Sequence, residues 1–329
     1  MKALICNEFG PVESHKILEI PEPEVLKNHV IVDVKATGIA FPDVLMVKGE
    51  YQFKPVFPFS PGGEIAGVIS EVGEGITQYK VGDRVIAYGS NFLREKALAT
   101  EAQLFPLPET MDYQAAAAFP LNYGTNYHGF KQRAGLKADE SVLILGAGGG
   151  LGISAIHVAK AMGAEVIAAA SSQEKLDLCK REGADETILY ERDLDKDMQK
   201  VFSNKIKEIS DGGVNIVYDI IGGNYSEPAL RAIARHGRYL VVGFTAGIPK
   251  IPLNLTLLKE CQIIGVFWGQ FQAFEYEENG KNYDELFELH ASGKIKPFAA
   301  DIYTIDDSIK ALQSLEERKA MGKVVVSME

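Results

Sequence analysis

A chain of 329 residues exceeds what one hydrophobic core ordinarily supports, and 46% hydrophobic with 24% charged residues is the composition of a folded globular protein, not a disordered or fibrous one. With 34 basic against 45 acidic side chains the net charge is -11, which argues against nucleic acid or an anionic lipid surface as partner; the densest basic stretch, residues 196–207, is broken by Asp197 and reads as a solvated helix face. No run approaches the roughly 18 apolar residues that cross a bilayer, the N-terminus lacks a signal-peptide core, and Cys6, Cys179 and Cys261 are too far apart for a disulfide framework or a metal clip, so a cytoplasmic protein with no membrane partner is expected.

In the first hundred residues, 1–6, 30–36, 65–72 and 84–88 are β-branched or apolar runs punctuated by Gly, Pro and Asp, which predicts a β-rich, mostly antiparallel unit with few crossover helices. From about Tyr123 the pattern alternates. Strands are predicted at 141–145, 165–169, 186–190, 214–221, 238–243 and 262–267, with helices at 150–162, 174–182, 194–210 and 226–234 between them. Such βαβ repetition predicts an α/β fold with a doubly wound, Rossmann-type parallel sheet. Beyond Gly269 come helices near 283–292 and 308–317 and a closing strand at 323–327, assigned to the first domain. The expected domains are therefore 1–123 with 269–329, β-rich, and 124–268, cofactor-binding.

The strongest motif is Leu145-Gly146-Ala147-Gly148-Gly149-Gly150-Leu151-Gly152, a strand running through five glycines into a helix. Glycine lets backbone turn tightly and approach a pyrophosphate, whose charge the N–H groups and dipole of the helix N-terminus neutralise. In the G-x-G-x-x-G frame the first position is Ala147, followed by Gly149 and Gly152. About 20 residues on, where an acid would bind the ribose 2′-hydroxyl of NAD, the chain reads Ala168-Ala169-Ala170-Ser171-Ser172-Gln173-Glu174-Lys175. Hydroxyls and a lysine at the strand end predict NADPH, with Ser171 and Lys175 on the 2′-phosphate and Ser172 and Tyr190 as further cofactor neighbours. His128 and His157 lack paired spacing and are read as structural, and Asp219 as an acceptor for nearby backbone donors.

The glycine loop, Gly62-Gly63-Glu64-Ile65-Ala66-Gly67-Val68, Val81-Gly82-Asp83-Arg84-Val85, Gly124-Thr125-Asn126-Tyr127 and Gly322-Lys323-Val324-Val325 together resemble the medium-chain dehydrogenases/reductases, in the quinone oxidoreductase or zeta-crystallin branch, over essentially the whole chain. The resemblance implies a GroES-like catalytic domain beside the cofactor domain. At the positions aligned with the zinc ligands of related alcohol dehydrogenases stand Ala40, Gly63 and about Leu121, and no cysteine lies between Tyr88 and Pro106, so no metal is expected.

What the resemblance implies is hydride transfer to a quinone or α,β-unsaturated carbonyl. It places the acceptor beside Ala40, Phe41, Asp43 and Leu45, gives Tyr51 a role in polarising the acceptor oxygen or relaying a proton, and adds Thr125, Gly243, Phe244, Val266, Phe267, Trp268 and Lys323 to the cofactor contacts. Ala40 and Leu45 depart from the asparagine and tyrosine often found there, which opens the question of acceptor. Enoyl-thioester reduction and a non-enzymatic, RNA-binding or crystallin-like role are the alternatives. An apolar edge strand at 262–267 further predicts a homodimer.

Overall fold

The apolar runs of the first hundred residues fall within a set of seven strands that extends just beyond them: β1 (Lys2–Ile5), β2 (Lys16–Glu19), β3 (His29–Ile39), β4 (Glu64–Val72), β5 (Arg84–Tyr88), β6 (Lys96–Thr100) and β7 (Leu104–Pro106), with α1 (Phe41–Val47) after β3 and α2 (Tyr113–Ala117) after β7. The computed structural model describes residues 1–328 and divides by its contacts into two units, Met1–Leu121 with the stretch from Pro297 onward, and Asn122–Lys296. Among the described residues no helix is long and apolar enough to cross a membrane.

In the first unit β3 is the pivot. One side pairs with β4 along its length; on the other, His29–Asp33 pair with β6 and the second half is left for a strand from the far end of the chain. Register shifts between Ile31/Val32 and Val34/Ala36 accommodate that change of partner. Val30, Val32, Ile65, Ile69, Val85 and Phe92 fill the core beneath.

The second unit begins inside α3 (Pro120–His128) and runs β8 (Ser141–Leu145), α4 (Gly150–Ala161), β9 (Glu165–Ala170), α5 (Gln173–Arg181), β10 (Glu186–Leu189), α6 (Lys196–Ile209), β11 (Val214–Asp219), α7 (Ser226–Arg231), β12 (Ile233–Val241), α8 (Asn254–Lys259), β13 (Gln262–Gly265), α9 (Trp268–Phe274) and α10 (Tyr276–Ala291). Its six strands are parallel in the order β10-β9-β8-β11-β12-β13, so the winding reverses at β8, the position from which a doubly wound sheet presents ligands. Leu143, Ile167, Val217 and Leu230 belong to its buried core. The helix expected through Ala234 stops at Arg231, because Val214 N–H bonds to the Ala232 carbonyl and β12 starts at once, irregular where His236 takes a φ of 64°.

The chain then returns to the first unit with β14 (Asp301–Thr304), α11 (Ser308–Glu316) and β15 (Val324–Ser327), and β15 takes the vacant half of β3, Val324 opposite Ile39 and Ser327 opposite Ala36. The second boundary thus falls at Lys296/Pro297, not at the expected 268/269. Residues 269–296 stay with the second unit because α10 is tied to the segment after α3: Lys131 Nζ lies 2.8 Å from Glu285 Oε1, and Gln132 Nε2 donates to Asn282 Oδ1 at 2.8 Å.

The returning segment is also fixed by charge. Lys323 and Glu64 form an ion pair whose side chains are 5% and 2% exposed, and the second carboxylate oxygen accepts Leu121 N–H at 2.8 Å. Removing one member of a buried pair strands the other charge, at a cost of about 3–5 kcal/mol. Lys323→Met should lower the stability of the first unit by about that amount, and adding Glu64→Gln should recover most of it. Urea unfolding followed by circular dichroism tests this, since the single tryptophan, Trp268, reports on the other unit; a Lys323→Met midpoint equal to the parent's would refute it.

Candidate functional site: the glycine loop and the α1 face

The turn out of β8 is built on close backbone approach. Gly146 and Ala147 both donate to the Ala169 carbonyl, at 3.1 and 3.0 Å, which pins the loop to the end of β9. Gly146 has φ +79°, a left-handed conformation that a side chain strains. At Gly152 a Cβ would come within 2.5 Å of Ala147 Cα, so only glycine lets α4 begin directly against the loop.

Buried hydrogen bonds hold the helix there. Tyr218 OH donates to Asn126 Oδ1 at 2.5 Å, and Asn126 Nδ2 donates to the Leu151 carbonyl at 3.0 Å and to Ser154 Oγ at 2.7 Å. Asn126 belongs to the motif that resembled the family, yet no spacing rule links it to Leu151 and Ser154, and sequence reasoning did not place it at the site. Gly149, the N-cap of α4, supplies no side-chain acceptor, and a Cβ there would meet nothing closer than Gly146 O at 3.9 Å. The first-turn N–H groups are therefore left for an outside acceptor, in a cradle that suits the pyrophosphate of a dinucleotide.

Ser172 caps α5, its Oγ accepting Lys175 N–H at 3.4 Å. The Lys175 stem lies along the glycine loop: a Cβ on Gly148 would sit 2.6 Å from Lys175 Cβ and 2.9 Å from Cδ. Lys175 thus meets the loop, while Ser171 and Ser172 follow the end of β9, where there is no carboxylate. Tyr190, just beyond β10, packs its ring 4.7 Å from that of Tyr225 and 6.0 Å from that of Phe202.

The remaining expected contacts scatter by environment. Thr125 is buried in α3. Gly243 approaches Ile220 so closely that a Cβ would meet its carbonyl oxygen at 2.7 Å, while Phe244 and Phe267 are exposed and Val266 is buried. The Trp268 indole is buried against Gly124 and donates to Asn279 Oδ1 at 2.9 Å, so its N–H is spent on packing. Lys323 places its ammonium on Glu64, where a buried carboxylate takes its charge. Asp219 accepts Ile221 and Gly222 N–H at 2.9 and 2.8 Å, and hydroxyls of Ser226 and Tyr239 at 2.7 and 2.5 Å, a saturated acceptor that shapes the loop after β11. His157 Nδ1 is hydrogen-bonded to the Tyr123 hydroxyl (2.7 Å) and Nε2 to Glu182 (2.8 Å), and His128, held down to about 4 by burial, stacks on Phe271.

In the first unit, Asp43 at the third position of α1 accepts Ala40 N–H and Gly62 N–H, both at 2.8 Å. Burial pushes its carboxyl up to about 6, against the pull of those two hydrogen bonds and of the Lys323 charge. The Leu45 carbonyl accepts Glu50 N–H at 2.7 Å and Tyr51 N–H at 3.1 Å, which fixes Tyr51 just beyond α1, and the half-buried Phe41 opens the same helix. Burial, reinforced by Asp43, raises Tyr51 above the ordinary phenol range, so it carries its proton at neutral pH. The backbone N–H groups of Ala40 and Leu121 and that of Gly62 beside Gly63 are therefore spent on two carboxylates, and among the described residues no group of three or more His, Cys, Asp or Glu side chains is arranged to hold a metal.

The comparisons agree with this architecture. The alcohol dehydrogenase GroES-like domain family matches residues 26–109 and the zinc-binding dehydrogenase family residues 150–280. The chain is 35% identical to quinone oxidoreductase-like protein 2 homolog of Nematostella vectensis over 99% of this chain and 88% of that one, and 29% identical to acryloyl-coenzyme A reductase of Sulfurisphaera tokodaii over 99% of each. It superposes on Escherichia coli quinone oxidoreductase complexed with NADPH with a TM-score of 0.90 at 28% identity, covering 99% of this chain and 100% of that one. The chain belongs to the medium-chain dehydrogenase/reductase superfamily, in its zinc-independent quinone oxidoreductase branch.

Proposed function

We propose that this protein is an NADPH-dependent oxidoreductase that reduces a quinone or an α,β-unsaturated carbonyl. The observation that carries the reading is the glycine-rich cradle at Gly146–Gly152 with Lys175 laid against it and no acid at the end of β9. The similarity to a quinone oxidoreductase complexed with NADPH supports it.

In this reading the first-turn N–H groups of α4 bind the pyrophosphate, Ser171, Ser172 and Lys175 take the 2′-phosphate, and Thr125, Tyr190, Gly243, Phe244, Val266 and Phe267 are further contacts. When bound, NADPH supplies two electrons as a hydride. The acceptor lies on the α1 face, beside Ala40, Phe41, Asp43 and Leu45, and gains a hydride and a proton overall. Tyr51 donates a hydrogen bond to the acceptor oxygen as charge develops there, while Asp43 holds the segment that carries it.

A second reading, reduction of an enoyl thioester, draws on the similarity to acryloyl-coenzyme A reductase. Steady-state oxidation of NADPH and NADH against a quinone, an enone and an enoyl-CoA separates the readings.

Losing a charge-assisted phosphate contact costs about 1.5–3 kcal/mol, so Lys175→Ala should raise KM for NADPH about ten- to a hundredfold and leave that for NADH nearly unchanged. Equal effects on both cofactors would sink the phosphate assignment. Tyr51→Phe should lower kcat about a hundredfold. Because burial raises the phenol, its donating form persists further to the alkaline side, and any alkaline loss of parental kcat from this group should lie above the range of an ordinary phenol; a kcat equal to the parent's in the phenylalanine variant removes Tyr51 from the chemistry.

A homodimer through the second unit belongs to the same proposal. β13 closes one edge of the sheet, and Leu253, Leu257 and Leu258 at α8 stand exposed. Sedimentation should give twice the chain mass, and one chain mass for Leu257→Glu with Leu258→Glu; a monomeric parent would disprove the assembly.

A further inference from the structure

Immediately beyond Tyr51 the chain exposes apolar side chains that no core requires. Phe53 is 58% exposed and Val56 87%, and Phe57 meets Phe9 edge-on with ring centroids 4.6 Å apart, both rings partly open to solvent. Phe53 in turn contacts Tyr51, their rings 6.0 Å apart. The patch is therefore continuous with the tyrosine assigned to the acceptor oxygen. It is also electrically neutral: residues 49–62 carry Glu50 and Lys54 alone, and the exposed Lys54 sets its ammonium on the Gly49 carbonyl and 5.7 Å above the Phe9 ring. Polyphosphate tails need surplus cations, which this stretch lacks; an uncharged hydrocarbon needs water-exposed apolar surface to cover, which it has.

From this we infer that the segment following Tyr51 is a subsite for an uncharged hydrocarbon tail of the acceptor, so that the protein selects long-chain enones or alkyl-substituted quinones over short ones and over CoA thioesters. The inference rests on the proposed reductase reading and adds the class of acceptor to it. Covering a methylene completely multiplies binding about fourfold, and on an open face half of that logarithmic gain, about twofold, is expected.

The test is kcat/KM of the full-length protein with NADPH across 1-alken-3-ones from four to ten carbons, paired with dissociation constants for the corresponding saturated ketones, which bind without being reduced. Both series should improve about twofold per methylene in the parent and in Val81→Ser, a change at an exposed valine elsewhere in the first unit, and should flatten in Phe53→Ser with Val56→Ser. Turnover of the short enone with a flat series, or a slope that survives the double substitution, overturns the tail subsite and leaves the reductase reading standing. Absence of NADPH oxidation by every member overturns the reductase reading, and the saturated-ketone slope then still decides whether the segment takes a hydrocarbon tail.

Discussion

A helix can start where a buried parallel strand ends only if the connecting backbone finds room between them, and in the second unit that room exists because side chains are missing. Gly146 turns in the left-handed region, Gly152 lets α4 press on Ala147, and Gly148 lets the Lys175 stem lie flat. The consequences are coupled. The same closeness that sets the α4 start also leaves its first-turn donors facing outward and brings a cation from α5 beside them. Asn126, reached by Tyr218 from β11, locks the arrangement by bonding to Leu151 and Ser154, so sheet, α3 and α4 share one buried junction.

Charge does in the first unit what missing side chains do in the second. Asp43 gathers the backbone of Ala40 and Gly62, and Glu64 gathers Leu121 and Lys323, so two carboxylates tie together stretches far apart in sequence, including the segment that returns after the second unit. The arrangement carries a desolvation cost, visible in the upward shift of Asp43, and that cost is tolerable because each oxygen has a donor. Buried charges satisfied this way specify geometry more than they add stability, and the geometry they specify is the start of α1 and the loop carrying Tyr51.

Local signals made much of this legible. The parallel sheet, the loop and the acid-free end of β9 follow from period, glycine spacing and residue type, all set within a few tens of residues. What escaped depends on distant pairing. Residues 269–296 read as a return to the first domain, yet Lys131 and Gln132 capture Glu285 and Asn282 across about 150 residues. Lys323 sits in a motif of the family, and only its burial against Glu64 reveals what its ammonium does. The short elements β2, β6, β7, α1 and α2 lack the length for a period to declare itself.

Ala40, Gly63 and Leu121 offer no ligating side-chain atoms, so under the proposed reaction negative charge appearing on the acceptor oxygen would have to be met by hydrogen-bond donors. In the proposed role Tyr51 would meet that charge, and the burial that makes it a weaker acid than usual has a consequence: a phenol whose proton is held tightly gives little to a neutral carbonyl and progressively more as the oxygen becomes basic. Such a donor discriminates between ground state and transition state instead of binding both alike. It also favours acceptors that are already electron-poor, because a hydrogen bond supplies less polarisation than a metal ion and the conjugated system must provide the rest. Quinones and enones meet that requirement, and a saturated aldehyde or ketone does not.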